Sequence, residues 1–275
     1  MYPKLFIENF WLSDQEDRLF VCMPFGGAFD AKFKEIIEPV GKKLFKEVKR
    51  SDTSYAANDI PHQILDGIAN SKMLLFDLSD QRASERKIND NVLYELGIAT
   101  TIRDKEDILL IREGDRINPA EFPFDIRSLN IIPHGKRFKK EWLEKILDQL
   151  LEEQSWIKNK RIETASRSID GEGLELMYKF GRLPKGYDHF NTRTMRIEYK
   201  VSVLRLLDLG IISCESVCYK RGYEYAYHWT SFGRAVMQYL GIEKISVDEF
   251  KKLPEYQERL DFEEKYRNFK REVNR

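Results

Sequence analysis

The sequence has little cysteine and histidine and none of the common nucleophile or metal motifs. Its three cysteines, Cys22, Cys214 and Cys218, form no CxxC pair and have no histidine pair nearby, so we expect reduced thiols. The four histidines are isolated and show no HExxH spacing, which predicts that the protein holds no metal. Signatures of Ser-His-Asp and Cys-His nucleophiles are missing as well.

Net charge and long apolar runs are lacking too. Lysine and arginine together number 46, as do aspartate and glutamate, so no overall field attracts the chain to nucleic acid or to an anionic membrane. No apolar run approaches the length of a membrane span, and the N-terminal residues MYPKLFIENFW do not have the pattern of a signal peptide. These features predict a soluble, cytoplasmic protein without membrane contact.

Apolar runs alternate with helical patterns over residues 1–156, which we expect to form one domain. This alternation predicts βαβ units and an α/β fold, a flavodoxin-like doubly wound parallel sheet with helices on both faces. The predicted strands are RLFVCMPF (18–25), EVKR (47–50), KMLLFDLSD (72–80), DILLIRE (107–113) and SLNIIPH (128–134). The predicted helices lie in 28–48, 60–71, 91–104 and 139–154.

Residues 157–275 show a different pattern, which begins with the charged linker NKRIETASRSIDGEG (159–173). Two helical patterns, a hairpin pattern over 213–229 and a third helix then follow in the order of a winged-helix unit. We therefore expect a smaller winged-helix-like α+β domain whose charged tail begins at Ser246.

The partner of this second domain is left open by the sequence. Four basic residues lie on or near one predicted helix and could contact DNA phosphates and bases: Arg193, Arg196, Lys200 and Arg205. Glu198 and Asp208 oppose that interpretation, and the basic excess of this half is slight. We favour a protein partner over DNA.

Three features of the first domain meet at the carboxyl ends of the predicted strands. They are the turn Phe25-Gly26-Gly27, Asp77 at the end of its strand, and the helix start that runs from Asp90 to Glu95. Ligands of such sheets bind at this edge, near the point where the strand order reverses. The two glycines allow a ligand close to the backbone, although a strand-to-helix turn alone also explains them.

Glu95 is the first candidate for chemistry. Asn89, Asp90 or Asn91 caps its helix, so free backbone amides and the positive end of the helix dipole lie near the carboxylate. A carboxylate that is ionised but poorly solvated can serve as a nucleophile or base toward an oxocarbenium centre. The alternatives are an exposed glutamate or an internal pair with a lysine or arginine.

Asp77 is the second candidate. If it shares a crevice with Glu95, the two carboxyl groups could divide acid, base and nucleophile roles between them. The alternative is that Asp77 caps the turn DLSD through its own backbone. The residues do not decide between these interpretations.

The motifs FVCMPF, RSD, KMLLFDLS, NDNVLYELGIA and FPFDI resemble those of the nucleoside 2-deoxyribosyltransferase-like proteins, relatives of the TIR domains. The resemblance covers residues 18–135, and the YELG motif is its most specific part. It implies that Glu95 is the nucleophile that attacks the anomeric carbon. It also implies that Asp52, Asp90, Asn91 and Tyr94 contact the sugar or base.

The resemblance further implies N-glycosidic bond cleavage or transfer on a nucleoside, nucleotide or NAD, without any cofactor. It suggests an effector or sensor of bacterial antiviral defence, and a homo-oligomer, because such relatives often complete their sites across subunits. The alternative is a non-catalytic nucleotide sensor whose winged helix binds a protein or DNA.

Overall fold

The computed structural model describes residues 15–51, 60–80, 88–193, 195–219, 222–257 and 260–261. The chain divides into two compact units, Met1–Lys158 and Asn159–Arg275, which are described separately below. In the part of the chain that is described, no helix is long and apolar enough to span a membrane.

The first unit is built on a five-stranded sheet in the order β2-β1-β3-β4-β5. Every neighbouring pair of strands is parallel, which confirms the predicted flavodoxin-like α/β fold. The order reverses between β1 and β3, so the ligand-binding edge of such a fold lies where these two strands end. The strands are β1 (Glu16–Cys22), β2 (Glu47–Arg50), β3 (Ser71–Asp77), β4 (Ile108–Glu113) and β5 (Ile131–His134).

Helices and short turns cover both faces of this sheet. A π-helical turn (Phe33–Ile37) joins α1 to α2, and 3₁₀ turns occupy Lys105–Asp107, Pro119–Glu121 and Phe124–Ile126. The helices of this unit are α1 (Gly27–Lys32), α2 (Glu38–Leu44), α3 (Ile60–Asn70), α4 (Asp90–Ile102) and α5 (Lys140–Arg167), whose residues from Asn159 onward belong to the second unit.

The central strands β1, β3 and β4 are buried on both sides, and their alternate residues enter two separate cores because a strand directs successive side chains to opposite faces. One core joins Phe20, Cys22 and Phe76 to residues of α3 and α4. The other joins Val21 and Leu75 to residues of α2 and α5. We call these sides of the sheet the α4 face and the α5 face.

Helix α5 differs from the prediction. It was expected to end near residue 154, followed by a charged linker, but it continues to Arg167. The charged residues stabilise the helix instead of ending it, since Lys160 and Arg167 both pair with Glu163 at helical spacing. The nearest helix-breaking residue is Gly171, which lies beyond the helix end.

The second unit contains short helices and a two-stranded antiparallel hairpin, in the predicted order of helix, helix, hairpin and helix. Its core joins residues of the helices to hairpin residues, among them Leu176, Leu206, Trp229 and Val236. The elements are α6 (Gly171–Leu176), a π-helical turn (Met177–Gly181), α7 (Ile197–Asp208), β6 (Ile212–Tyr219), β7 (Gly222–Trp229), α8 (Ser231–Tyr239) and α9 (Val247–Phe250).

Candidate active site

Glu95 lies on the buried side of α4, beside the end of β1. Helix α4 begins after Asn89, whose side-chain oxygen accepts hydrogen bonds from the backbone amides of Asn91 (2.9 Å) and Val92 (3.3 Å). Four residues after Asn91, Glu95 is only 5% exposed, between the buried neighbours Val92 and Leu96. The helix therefore carries its carboxylate toward the α4 face of the sheet.

The Cys22 thiol is the polar neighbour of this carboxylate. Burial raises the pKa of Cys22, and the charge of Glu95 and a hydrogen bond to it raise that pKa further. The thiol is therefore protonated and donates to the Glu95 carboxylate. One carboxylate oxygen of Glu95, Oε2, is buried and has no hydrogen-bond partner among the described residues.

Burial raises the pKa of Glu95 from 4.5 to about 6, and the Cys22 hydrogen bond opposes this increase. No lysine or arginine of the described ranges pairs with Glu95, which rules out an internal ion pair within those ranges. At neutral pH the carboxylate is therefore ionised, poorly solvated and carries an unpaired oxygen. Carboxylates in such surroundings are enriched at functional sites.

Asp77 and Glu95 lie on different faces of the sheet, so the structure does not bring them into one crevice, which was one of the two interpretations left open. In β3, Leu74 and Phe76 enter the core of the α4 face, whereas Met73 and Leu75 enter the core of the α5 face. Asp77 points to the α5 face, like Met73 and Leu75, and its carboxylate accepts a hydrogen bond from Lys32 of α1 at 2.8 Å there. The backbone of the sheet therefore separates the two carboxyl groups.

The fully buried Asp77 also caps the turn after β3, as the alternative interpretation had it. Its Oδ1 accepts a hydrogen bond from the backbone amide of Ser79 at 3.0 Å. Lys32 Nζ lies 3.5 Å from His134 Nε2, and burial lowers the pKa of His134, which favours the neutral imidazole. Sequence patterns did not indicate Lys32 or His134, since the contacts join residues far apart in the chain.

The turn Phe25-Gly26-Gly27 follows β1 at the carboxyl edge of the sheet. Gly26 and Gly27 have φ angles of 90° and 51°, a left-handed region that favours glycine. The amide of Gly26 donates to Asp30 at 3.2 Å, and Arg50 at the end of β2 donates to the same carboxylate at 2.8 Å.

Arg50 links this turn to the sheet. Its guanidinium lies 5.2 Å from the ring centroid of Phe25 and 5.0 Å from that of Phe33. Phe25 is nevertheless 45% exposed, so one side of its ring remains open to a ligand. The sequence predicted the turn, but not the Asp30–Arg50 pair that supports it.

The remaining predicted site residues are more exposed than Glu95 or lie outside the described residues. Asp90, Asn91 and Tyr94 lie on the solvent side of α4, with Tyr94 68% exposed. Asp52 belongs to the part of the chain that is not described. Over the described ranges, no group of three His, Cys, Asp or Glu side chains could hold a metal ion.

Comparisons with known proteins add little to this geometry. No family model and no curated protein matches the chain. Among solved structures, the chain is similar to a metazoan TIR-STING receptor from C. gigas in complex with 2',3'-cGAMP. The identity is 11%, the match covers 82% of this chain and 78% of that chain, and the TM-score is 0.37. A likeness at this TM-score carries no argument about the present chain.

Proposed function

We propose that the first unit cleaves or transfers the N-glycosidic bond of a nucleoside, a nucleotide or NAD, with Glu95 as the nucleophile. The observation that carries this proposal is the setting of Glu95: a buried carboxylate with a raised pKa and an unpaired oxygen, next to the strand-order reversal. The resemblance of the YELG motif to the nucleoside 2-deoxyribosyltransferase-like proteins supports the same role.

The carboxylate would attack the anomeric carbon of the sugar as the C–N bond to the base breaks. The base leaves with the bonding electrons and takes up a proton, and a glycosyl-enzyme ester forms at Glu95. Water then releases the sugar, or a second base accepts it in a transfer reaction. The Cys22 thiol donates to the Glu95 carboxylate and would orient it for this attack.

The turn Phe25-Gly26-Gly27 supplies the substrate side of the proposed site. Phe25 follows Cys22 by three residues, so it lies near the end of β1 that carries the Glu95 contact. The open side of its ring can stack on a nucleobase. Asp90, Asn91 and Tyr94 would contact the substrate from the start of α4, and Asp52 is proposed with them.

Base release tests this function directly. The protein is incubated with ribo- and deoxynucleosides, their phosphates and NAD, and free base is measured by chromatography with mass detection. Glu95→Gln keeps the shape of the side chain and removes the charge, so we expect turnover to disappear while ligand binding persists. Glu152→Gln, an exposed acid of the same unit, is the matched control and should keep full activity. Full activity of Glu95→Gln would refute the assignment.

A second candidate is a non-catalytic nucleotide sensor whose second unit binds a protein. An exposed apolar stripe on α7 favours a protein over DNA, since Ile197, Val201 and Leu204 are 68%, 56% and 61% exposed at helical spacing. Thermal stabilisation by a nucleotide without product formation would support the sensor.

The apolar stripe can also be tested for self-association and for DNA binding. If it joins two copies of the chain, Val201→Glu should lower the mass measured by light scattering, and an unchanged mass would exclude that use. Strongly salt-dependent duplex binding that Arg196→Ala and Lys200→Ala weaken would instead favour DNA.

A further inference from the structure

The second unit contains a cavity of about 520 Å³. It lies between α6 with its π-helical turn (Met177–Gly181), residues 189–191 and 195–196, and the first turn of α7. Its volume falls within the range of roughly 300–1,000 Å³ that is common for small-molecule sites. π-helical turns are rare in proteins and frequently lie at functional sites.

Aromatic rings form one wall of this cavity. Phe180 and Phe190 stack with ring centroids 5.2 Å apart and an interplanar angle of 22°. Phe190 stacks in turn on Tyr227 at 5.4 Å and 20°. Phe190 is buried, whereas Phe180 keeps accessible surface at the cavity. The ammonium of Lys179 lies 5.8 Å from the centroid of the Phe180 ring, so a flat ring of a ligand can pack against the accessible part of Phe180 beside this cation.

Charged groups at the cavity favour an anion. Lys179 and Arg196 line it together with one carboxylate, that of Glu175, which accepts a hydrogen bond from the Tyr199 hydroxyl. This hydrogen bond raises the pKa of Tyr199, so the phenol stays protonated. Lysine and arginine give the lining two positive charges and Glu175 gives it one negative charge, while the carboxylate of Glu172 also acts on Tyr199.

Helix α7 adds to this preference. Arg196 is its N-cap residue, and Arg196 and Tyr199 of the first turn both line the cavity, so the positive end of the helix dipole lies at this side of it. Glu198 contacts Arg196 through Nε at 3.4 Å, but both side chains are more than half exposed and such a pair is weak in water.

We propose that this cavity binds a small ligand that combines a flat aromatic ring with one anionic group. The ring packs against Phe180, and the anionic group lies between Lys179 and Arg196. The inference does not depend on the reaction proposed for Glu95, because every lining residue belongs to the second unit.

Isothermal titration of the full chain tests this proposal with four probes. Adenosine monophosphate and benzoate carry both ring and anion, adenosine lacks the anion, and inorganic phosphate lacks the ring. We expect adenosine monophosphate, benzoate or both to bind at least roughly tenfold more tightly than adenosine or inorganic phosphate. Binding of adenosine monophosphate alone would identify a nucleotide as the source, and binding of both would identify aromatic acids in general.

Variants locate the binding site. Arg196→Gln and Phe180→Leu should each weaken binding, the former by roughly tenfold or more. Lys200→Gln, on the same helix but outside the cavity, should leave binding unchanged. The proposal is overturned if no probe binds, or if Arg196→Gln and Phe180→Leu both bind as the unchanged chain does. Binding that only Glu95→Gln alters would place the ligand in the first unit and would overturn it equally.

Discussion

Ionisation of Glu95 should lower the free energy of unfolding of the first unit. Burial raises its pKa from 4.5 in the unfolded chain to about 6 in the folded protein. Each pKa unit corresponds to about 1.4 kcal/mol, so the ionised carboxylate destabilises the fold by about 2 kcal/mol. The folded protein holds this proton more tightly than the unfolded chain does. The loss of stability therefore develops as the pH rises from 4.5 to about 6, and it is complete above that window.

Glu95→Gln isolates this contribution, because the amide keeps the size of the side chain and does not titrate. Urea unfolding of both proteins, followed by circular dichroism, gives the difference in free energy of unfolding at each pH. The free energy of unfolding of the variant, minus that of the unchanged protein, should increase by most of about 2 kcal/mol as the pH is raised from about 4 to about 8. Other carboxylates titrate alike in both proteins, so their contributions cancel in the difference.

A difference that stays constant over this pH range would refute the reasoning. It would mean that folding does not change the pKa of the carboxyl group, as expected for a well-solvated carboxylate, and the case for a buried nucleophile would weaken with it. Glu152→Gln serves again as the control, because it makes the same chemical change at an exposed position of the same unit.

Two further predictions concern stability. Asp77→Asn leaves the Lys32 ammonium without its buried counter-ion and should lower the free energy of unfolding, measured by urea denaturation, by roughly 3–5 kcal/mol. A loss of stability under about 1 kcal/mol would contradict the ion pair. Gly233→Ala places a methyl group against the carbonyl of Ile211 and should destabilise the second unit by roughly 1–3 kcal/mol in thermal unfolding. In Gly97→Ala, the added methyl group meets no atom within 4 Å, and alanine favours the helix more than glycine does, so the first unit should gain up to about 1 kcal/mol of stability. Equal effects of the two glycine substitutions would refute the packing argument.

The sheet was predictable because its strands are buried on both faces. Such strands appear as continuous apolar runs, and KMLLFDLSD and DILLIRE are bounded by polar segments. The end of α5 was not predictable in the same way. A stretch rich in charged and small residues is typical of a linker, and only the pairing with Glu163 shows that these side chains stabilise a helix.

The candidate site was predictable in part. The burial of Glu95 followed from its apolar neighbours in the helix, since Leu96 and Ala99 are buried as expected. The face to which Asp77 points depends on the alternation within β3, and an apolar run does not reveal which residues face which helix layer. The partners Lys32 and Arg50 come from other elements, and single-sequence patterns carry no signal for such long-range contacts.

The separation of Asp77 and Glu95 by the sheet restricts how β3 can vary in length. Insertion or deletion of one residue within Ser71–Asp77 would turn the end of the strand over. The Asp77 carboxylate would then leave the Lys32 ammonium and point toward the side that holds Glu95, where two buried negative charges would repel each other. Insertion or deletion of two residues would preserve the alternation of side chains between the two faces. In homologous chains, length differences should therefore accumulate in the loops beside β3 and avoid the strand itself.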